Sequence, residues 1–579
     1  MKNLIWIGFC AAALALTACQ AQKNSSTVQA ENVTGLRPLT SDERAADFAQ
    51  LLQLFKTYYG PYQFKEAHLG INIEKELENI KIQALNAKTD EEFAGYIMRF
   101  GALLKDGHVQ IQVQNTSSGV VRYKVPIVVT PVEGKALIGD ITKDLADFTG
   151  LAVGDEVIAI DGKSPQDLQK TAMQYRSMAM PTSEPHLMLY ALQRPSYMTE
   201  LVPTKATVQV RAKKADGTQV DTEIPWELEK YSAGLDSILK PEVARWDLSV
   251  PFSQDLNSAT DSHRLQMGQT DPVFLSKEVQ AKYKFVKVYP SDEYRKKYKM
   301  EDKEKPAIYA ALYRYNGKTI LLVRSATFSP SDFPGQVYLN GYMALLDQYQ
   351  DLADVLVLDQ THNPGGSYCS EFYDLFAKDG DAQTVQKCRA DRDWINAFAI
   401  HPPAPTPAPG ETAPVTNIFE PKLEEAFARE VERAYDAKEF LTQPIPLFTG
   451  TTHAQNRGFR WTKPMLVLTD ELAGSCADIF PMLVKANARA KIFGQPTMGL
   501  GGNVDQVGVL NNSRITVRMT RGMFSPFQEN GVYANQVFIE NNGVVPDYPY
   551  AHTVSDYRAG FVDYVKAFSD KALEQIPAP

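Results

Sequence analysis

The sequence predicts a mixed α/β protein, and three kinds of segment predict it. These are capped amphipathic helices near the N-terminus, a series of short β runs in the second quarter, and apolar strands that end in small-residue turns. In the helical part, Thr40 with Glu43 forms a capping box ahead of Phe48, Leu51, Leu52, Phe55 and Tyr58, which share one helical face. Thr89 with Glu92 repeats the device ahead of Phe93, Ile97, Phe100 and Leu104. The unit closes at the turn Lys105-Asp106-Gly107-His108, and Val109-Gln110-Ile111-Gln112-Val113 then alternates as a half-buried strand.

Short β runs follow at Val125–Thr130, Ala136–Ile141, Glu156–Ile160 and Ala206–Val210. The stretch from Gly150 to Gly162, GLAVGDEVIAIDG, places turns at both ends of one strand and resembles a PDZ domain, which implies a sheet edge able to accept a peptide as an added strand. Residues 231–305 are polar and irregular with scattered prolines, so an insertion with little core of its own is expected there. Regular structure resumes with Ala307–Tyr315 and Thr319–Val323. His401–Pro414 is a stiff, polyproline-like connector, and Leu423, Phe427, Val431 and Tyr435 mark one further amphipathic helix.

The first residues carry a different signal. Lys2, the apolar run Leu4–Leu16 and the small-residue site Leu16-Thr17-Ala18-Cys19 form an export signal. It resembles a bacterial lipoprotein signal, which implies that Cys19 is lipidated and anchors the chain to a membrane of the cell envelope. Gln20 is not the aspartate that often retains lipoproteins at the inner membrane, which favours the outer one. The expected organisation is then signal 1–19, flexible tether 20–38, helical unit 39–118, PDZ-like domain 119–230, insertion 231–305, and a catalytic core 306–560 with a Pro-rich insertion near 390–420.

A hydrophobic content of 44% over 579 residues is that of globular material in several packed units. A net charge of −9 without a long basic run argues against a nucleic-acid groove. No Cys-x-x-Cys or His-x-x-x-His occurs, so a zinc site is unsupported and no cofactor is expected. Cys369 and Cys388 are either a disulfide or two free thiols, since spacing alone does not fix their distance.

The chemistry concentrates at two turns. Asp354–Asp359 is an apolar strand that runs into Asn363-Pro364-Gly365-Gly366, where consecutive glycines let backbone N–H groups face a cleft. Pro464–Thr469 is a second such strand, and the turn Leu472–Asp478 after it opens a helix with Ser475 at its start. A serine there meets free N–H groups and the positive dipole end, which suits a developing anion. Ser475 with Asp478 also reads as an ordinary capping box.

The order of these motifs resembles the S41 family of serine peptidases, which includes the C-terminal processing and tricorn-type proteases, and implies a crotonase-like ββα core. Gly474-Ser475-Cys476-Ala477-Asp478 falls on the family's nucleophile turn. The resemblance implies Ser475 as nucleophile and an oxyanion hole from Gly365 or Gly366 with the Cys476 N–H. Processing proteases carry a catalytic lysine in a turn that here reads Met498-Gly499-Leu500-Gly501, and leucine cannot act as a base. A Ser/Lys dyad is therefore excluded at that position, unless Lys485 or Lys491 substitutes from elsewhere in a different geometry.

The protease-like activity factor branch supplies another pattern. Its histidine sits in a Leu-x-Asp-x-His setting, matched by Leu104–His108, which implies His108 as base. Its glutamate is matched by Glu540 in Glu540–Asp547, ENNGVVPD, which implies Glu540 as the group that orients the imidazole. Glu529 is a rival for that role and His362 the reserve base. The sequence thus points to a lipid-anchored serine endopeptidase acting on proteins or peptides, with a homodimer left open. The rival reading is a peptide-binding lipoprotein that has lost turnover, fed by Leu500. The position of 231–305 resembles the branch's internal inhibitory segment, which implies a self-cleaving zymogen.

Overall fold

The computed structural model describes residues 38–112, 121–230, 267–300, 308–330, 335–378, 380–394, 421–446, 459–527 and 537–578. The signal with Cys19, most of the tether, residues 231–266, the connector 401–414 and Glu529 lie outside them. No helix among the described residues is long and apolar enough to cross a membrane.

The helical unit comprises Ser41–Tyr58, Tyr62–Leu69, Ile73–Leu85 and Asp90–Leu103. The first capping box is complete: the Glu43 N–H donates to Thr40 Oγ1 at 3.3 Å and the Thr40 N–H to Glu43 Oε2 at 2.8 Å. The second is half formed, because the Glu92 carboxylate takes the Lys88 N–H at 2.6 Å instead of the Thr89 one. Phe48, Leu51, Phe55, Phe93, Ile97 and Phe100 are buried as the periodicity requires.

The β runs between 127 and 225 form a five-stranded antiparallel sheet of Ile127–Val132, Lys135–Ile141, Glu156–Ile160, Thr207–Lys213 and Gln219–Pro225, in that spatial order. Thr207–Lys213 buries alternate residues, as a sheet with one solvated face must.

The core is a seven-stranded sheet whose spatial order follows the chain: Val286–Lys287, Ala310–Tyr315, Lys318–Arg324, Val355–Asp359, Met465–Thr469, Lys491–Gly494 and Tyr548–Pro549. The last five strands are mutually parallel. Val355–Asp359 and Met465–Thr469 are buried at every residue, as strands covered on both faces must be. Helix Gly335–Tyr349 crosses over between the third and fourth strands and helix Cys476–Ala486 between the fifth and sixth. Leu358 pairs with Val467 and Asp359 with Leu468, so the carboxyl ends of the central strands lie side by side. In open parallel sheets that is where ligand-handling loops gather.

The expectation of an insertion with little core does not hold for residues 267–300. Phe274, Val279, Tyr283 and Phe285 are buried in the cluster beneath the seven-stranded sheet, and Val286–Lys287 forms its edge strand. Aromatic residues spaced among prolines had read as polar coil because no single period organises them.

A second sheet carries the helical unit onto the core. Gln110–Gln112, two residues past His108, pairs antiparallel with Thr516–Phe527, Gln110 facing Arg518. Thr516–Phe527 in turn pairs with Gly502–Val509, the strand that begins just after Leu500.

Candidate active site

Ser475 stands at the start of helix Cys476–Ala486 with φ 58° and ψ −118°, a conformation that L-residues rarely adopt. Its side chain makes no capping hydrogen bond, so the ordinary N-cap reading fails. Asp478 shows why. Its carboxylate accepts from Thr497 Oγ1 and from the N–H groups of Gly499 (2.9 Å) and Leu500 (3.0 Å), which pins the turn 497–500 against the helix. Burial pushes the Asp478 carboxyl up to about 7 against the pull of these donors.

The glycine turn lies directly against the serine. Gly365 has φ +94°, and a Cβ there would lie 2.6 Å from Ser475 Cβ and 2.9 Å from the Cys476 nitrogen. Only glycine permits that approach. The Gly365 N–H donates to Asn363 Oδ1 at 2.8 Å and is spoken for. The N–H groups of Gly366 and Cys476 enter no hydrogen bond with the described residues. Of the sequence-predicted donors, Gly366 and Cys476 are therefore available and Gly365 is not; its part is to bring the backbone close.

Cys476 also makes a covalent bond that spacing did not suggest. It is disulfide-bonded to Cys369, 107 residues away, whereas Cys388 is a buried free thiol. The expected alternatives for Cys369 and Cys388 are corrected accordingly. Cys388 ends the strand Gln383–Cys388, which pairs with Thr516–Phe527 in the second sheet, while Cys369 opens a helix beside the serine helix.

His108 is buried, and its backbone N–H donates to Asp106 Oδ1 at 2.9 Å. Asp106 Oδ2 accepts from the Tyr59 hydroxyl at 3.0 Å, so this carboxylate locks the turn to the first helix. Burial drives the His108 imidazole down to about 4, Asp106 opposing and Arg518 and Lys65 adding to the depression. Leu500 joins this turn to that of Ser475: its methyls lie where side chains would stand on Gly107 and on Gly474, 2.6 Å and 3.1 Å from those Cβ positions. Leu500 is thus an apolar spacer between the His108 turn and the Ser475 turn.

Glu540 is fully buried, but it does not meet the His108 ring. Its oxygens bind Lys65 Nζ at 2.5 Å and the Gly501 N–H at 3.2 Å, and His108 Nδ1 is buried without a hydrogen bond. Lys65 also donates to the Lys105 carbonyl at 2.8 Å and to Asn541 Oδ1 at 2.5 Å. The Asn541 amide donates to the carbonyls of Lys105 and Ala179. Glu540 therefore reaches the His108 turn through Lys65. Burial and the nearby Asp106 raise its carboxyl to about 8, with Lys65 working against them. Sequence reasoning missed Lys65, whose helix, Tyr62–Leu69, is too short for periodicity to single out one buried lysine.

His362, the reserve base, is engaged elsewhere. Its Nδ1 bonds Asp470, and its backbone N–H donates to both Asp470 oxygens at 2.9 Å. Burial disfavours its charge, but Asp470 outweighs this and raises its pKa above the ordinary histidine value. The pair ties the end of one central strand to the end of the next. Among the described residues no group of acidic, histidine or cysteine side chains could hold a metal ion.

Residues 331–550 match the model of peptidase family S41. A Chlamydia pneumoniae protein is 22% identical, the match covering 93% of this chain and 91% of that one. A Chlamydia trachomatis protein is 23% identical, covering 90% of each. The crystal structure of mature CPAF has a TM-score of 0.66 at 21% identity, covering 93% of this chain and 98% of that one. CPAF complexed with lactacystin has a TM-score of 0.67 at 21% identity, covering 93% and 99%. These two likenesses establish the fold.

Proposed function

Because this chain belongs to peptidase family S41 and is a serine-type peptidase, we propose that it is an endopeptidase in which Ser475 is the nucleophile, His108 the base and Glu540 the carboxylate of the third role. The observation that carries this reading is Ser475 itself: a strained, uncapped serine at a helix start, in contact with a glycine turn whose Gly366 N–H has no partner among the described residues. Ser475 Oγ attacks the peptide carbonyl while His108 takes its proton. The N–H groups of Gly366 and Cys476 bind the oxyanion, and His108 returns the proton to the leaving amine. Water then releases the acyl group by the same path. Glu540 supports the base through Lys65 and the Lys105 carbonyl, so its role in this reading is to place the His108 turn.

The test is labelling with a fluorophosphonate together with casein cleavage. Wild type should label and cleave, and folded Ser475→Ala should do neither. Since CPAF has been solved with lactacystin, that compound is a second active-site probe to try. A folded wild type that labels with neither and cleaves nothing would favour the peptide-binding reading, in which Leu500 marks a lost base.

The finer expectations join this proposal. The five-stranded sheet at 127–225 would act as a PDZ-like peptide-binding module, and Cys19 would carry the lipid that holds the enzyme at the envelope. Self-cleavage, if the chain is a zymogen, would fall between Lys230 and Met267, because the residues after 267 pack into the core. Wild type should then split into two fragments at a concentration-dependent rate while Ser475→Ala stays whole. A wild-type chain that stays whole at full activity removes the zymogen idea.

A further inference from the structure

One covalent bond joins the two turns of the proposed oxyanion site, and the proton path makes no use of it. Cys476 directly follows Ser475, and Cys369 opens the helix Cys369–Tyr373 three residues after Gly366. Their Cα atoms are 5.3 Å apart.

Gly366 is held from both sides. Upstream, the Gly365 carbonyl accepts the Phe328 N–H at 2.8 Å. Downstream, the N–H groups of Ser367 and Tyr368 converge on the Phe328 carbonyl at 2.9 and 3.2 Å, and the disulfide follows at the next residue. These hydrogen bonds fix the glycine turn to Phe328, four residues past the strand Lys318–Arg324; the disulfide fixes it to the serine helix. Behind the sulfurs, Phe372 packs on Phe480 with ring centroids 5.3 Å apart and Phe376 on Phe480 at 5.8 Å. Those rings hold the bodies of the two helices together without help from the bond. They do not fix how far the first residue of one helix stands from the turn before the other. An oxyanion site depends on that spacing, since its donors must converge on one oxygen at hydrogen-bond distance.

We propose that Cys369 is a positioning residue of this peptidase: its disulfide to Cys476 sets the separation of the Gly366 and Cys476 N–H groups, so the oxidised enzyme has a formed oxyanion hole and the dithiol form does not. The proposal rests on the assignment of Ser475 and its oxyanion donors. It confines full activity to oxidising surroundings. The switching step is thiol–disulfide exchange with a small dithiol such as dithiothreitol. One reductant thiolate attacks a sulfur to form a mixed disulfide, the second displaces it, and the protein is left with two thiols while the reductant closes its own S–S bond. Cys388 stays out of this exchange, because it is fully buried and burial holds its thiol far above the ordinary range.

The experiment compares the full chain before and after dithiothreitol, with thiols counted by alkylation and mass, and sets Cys369→Ala beside it. In the dithiol form kcat on a fluorogenic peptide should fall about tenfold or more while KM changes less than about twofold, since one misplaced oxyanion donor acts on the transition state. Inhibition by a peptide aldehyde, whose adduct carries the same oxyanion, should weaken in proportion. Reoxidation should restore kcat. Cys369→Ala should be slow from the outset and indifferent to dithiothreitol. A dithiol protein or a folded Cys369→Ala with wild-type kcat overturns the proposal. So does unfolding of the dithiol form seen by circular dichroism, because the bond would then hold the fold and not the hole. Fluorophosphonate separates the two levels of inference: an unlabelled oxidised enzyme sinks the nucleophile assignment and the proposal with it, whereas equal labelling rates in both redox states sink the proposal alone.

Discussion

The two buried histidines near the serine and glycine turns are shifted in opposite directions, and this makes the base identifiable by pH. Burial brings His108 down to about 4, whereas Asp470 raises His362 above its ordinary 6.5. Only a neutral imidazole can accept the serine proton, so the acid limb of kcat/KM reports the base of the free enzyme. At about pH 5.5 a group titrating near 4 is roughly 97% neutral, while one at 6.5 or above is at most about 9% neutral. With His108 as base, kcat/KM at about pH 5.5 should stay within about twofold of its plateau; with His362 it should have dropped about tenfold or more. The assay is cleavage of an uncharged fluorogenic peptide from about pH 4 to 9, with the folded fraction checked at each pH. The same depression acts on stability. A histidine lowered from 6.5 to about 4 lends stability that is fully present above 6.5 and lost as pH falls through 4, about 3 kcal/mol in all. A His108→Gln variant should therefore be inactive and lose less stability than wild type on acidification across that window. An acid limb above 6.5, or a folded His108→Ala that still cleaves, would refute the assignment and move the base to His362.

Three further outcomes follow from the same geometry. Because Ser475 makes no capping bond and holds φ 58°, Ser475→Gly should relieve strain and be about 1 kcal/mol more stable than Ser475→Ala by denaturant titration, both being inactive; the reverse order would mean the turn is relaxed. Leu500→Met should change stability by less than about 1.5 kcal/mol and leave kcat nearly unchanged, whereas Leu500→Ala should lose about 2–5 kcal/mol and also kcat, since the spacer between Gly107 and Gly474 is gone. Above about pH 8, where buried Glu540 ionises, Lys65→Met should destabilise by about 3–5 kcal/mol by leaving that carboxylate without its cation, and adding Glu540→Gln should recover part of that loss; a Lys65→Met protein as stable as wild type there would show that the pair does not anchor the turn.

What could be read from the sequence was local. The glycine turn and the serine turn each follow a five-residue apolar strand within a few positions, and strand, turn and helix start announce themselves by composition. The capping boxes and the helical faces before His108 were legible for the same reason. What stayed hidden joins residues far apart in the chain. Lys65 and Glu540 are 475 residues apart, Cys369 and Cys476 are 107 apart, and His362 and Asp470 are 108 apart. No periodicity links such pairs: the parallel sheet sets the last two side by side, and the docking of the helical unit through Gln110–Gln112 brings the first together. Cys388 is nearer in sequence to Cys369, but it lies on a strand of the second sheet while Cys369 opens a helix against the serine helix.

Leu500 in the turn 497–500 bears on what the fold must do to reach activity in the His108 reading. A lysine in the turn 497–500 would belong to the same unit as the serine, and Asp478 alone would place it. With leucine there, the base in the His108 reading comes from a unit that begins more than 350 residues earlier in the chain. Its placement then depends on three joints: strand Gln110–Gln112 on Thr516–Phe527, Lys65 on Glu540, and Gly107 against Leu500. The Lys65–Glu540 pair is fully buried, so leaving one partner there without the other costs stability. A chain whose helical unit has not docked would hold a serine without its base, so proteolytic competence in this reading arrives only with the last long-range contacts of folding. That ordering suits a peptidase whose first available substrate is its own unfolded chain.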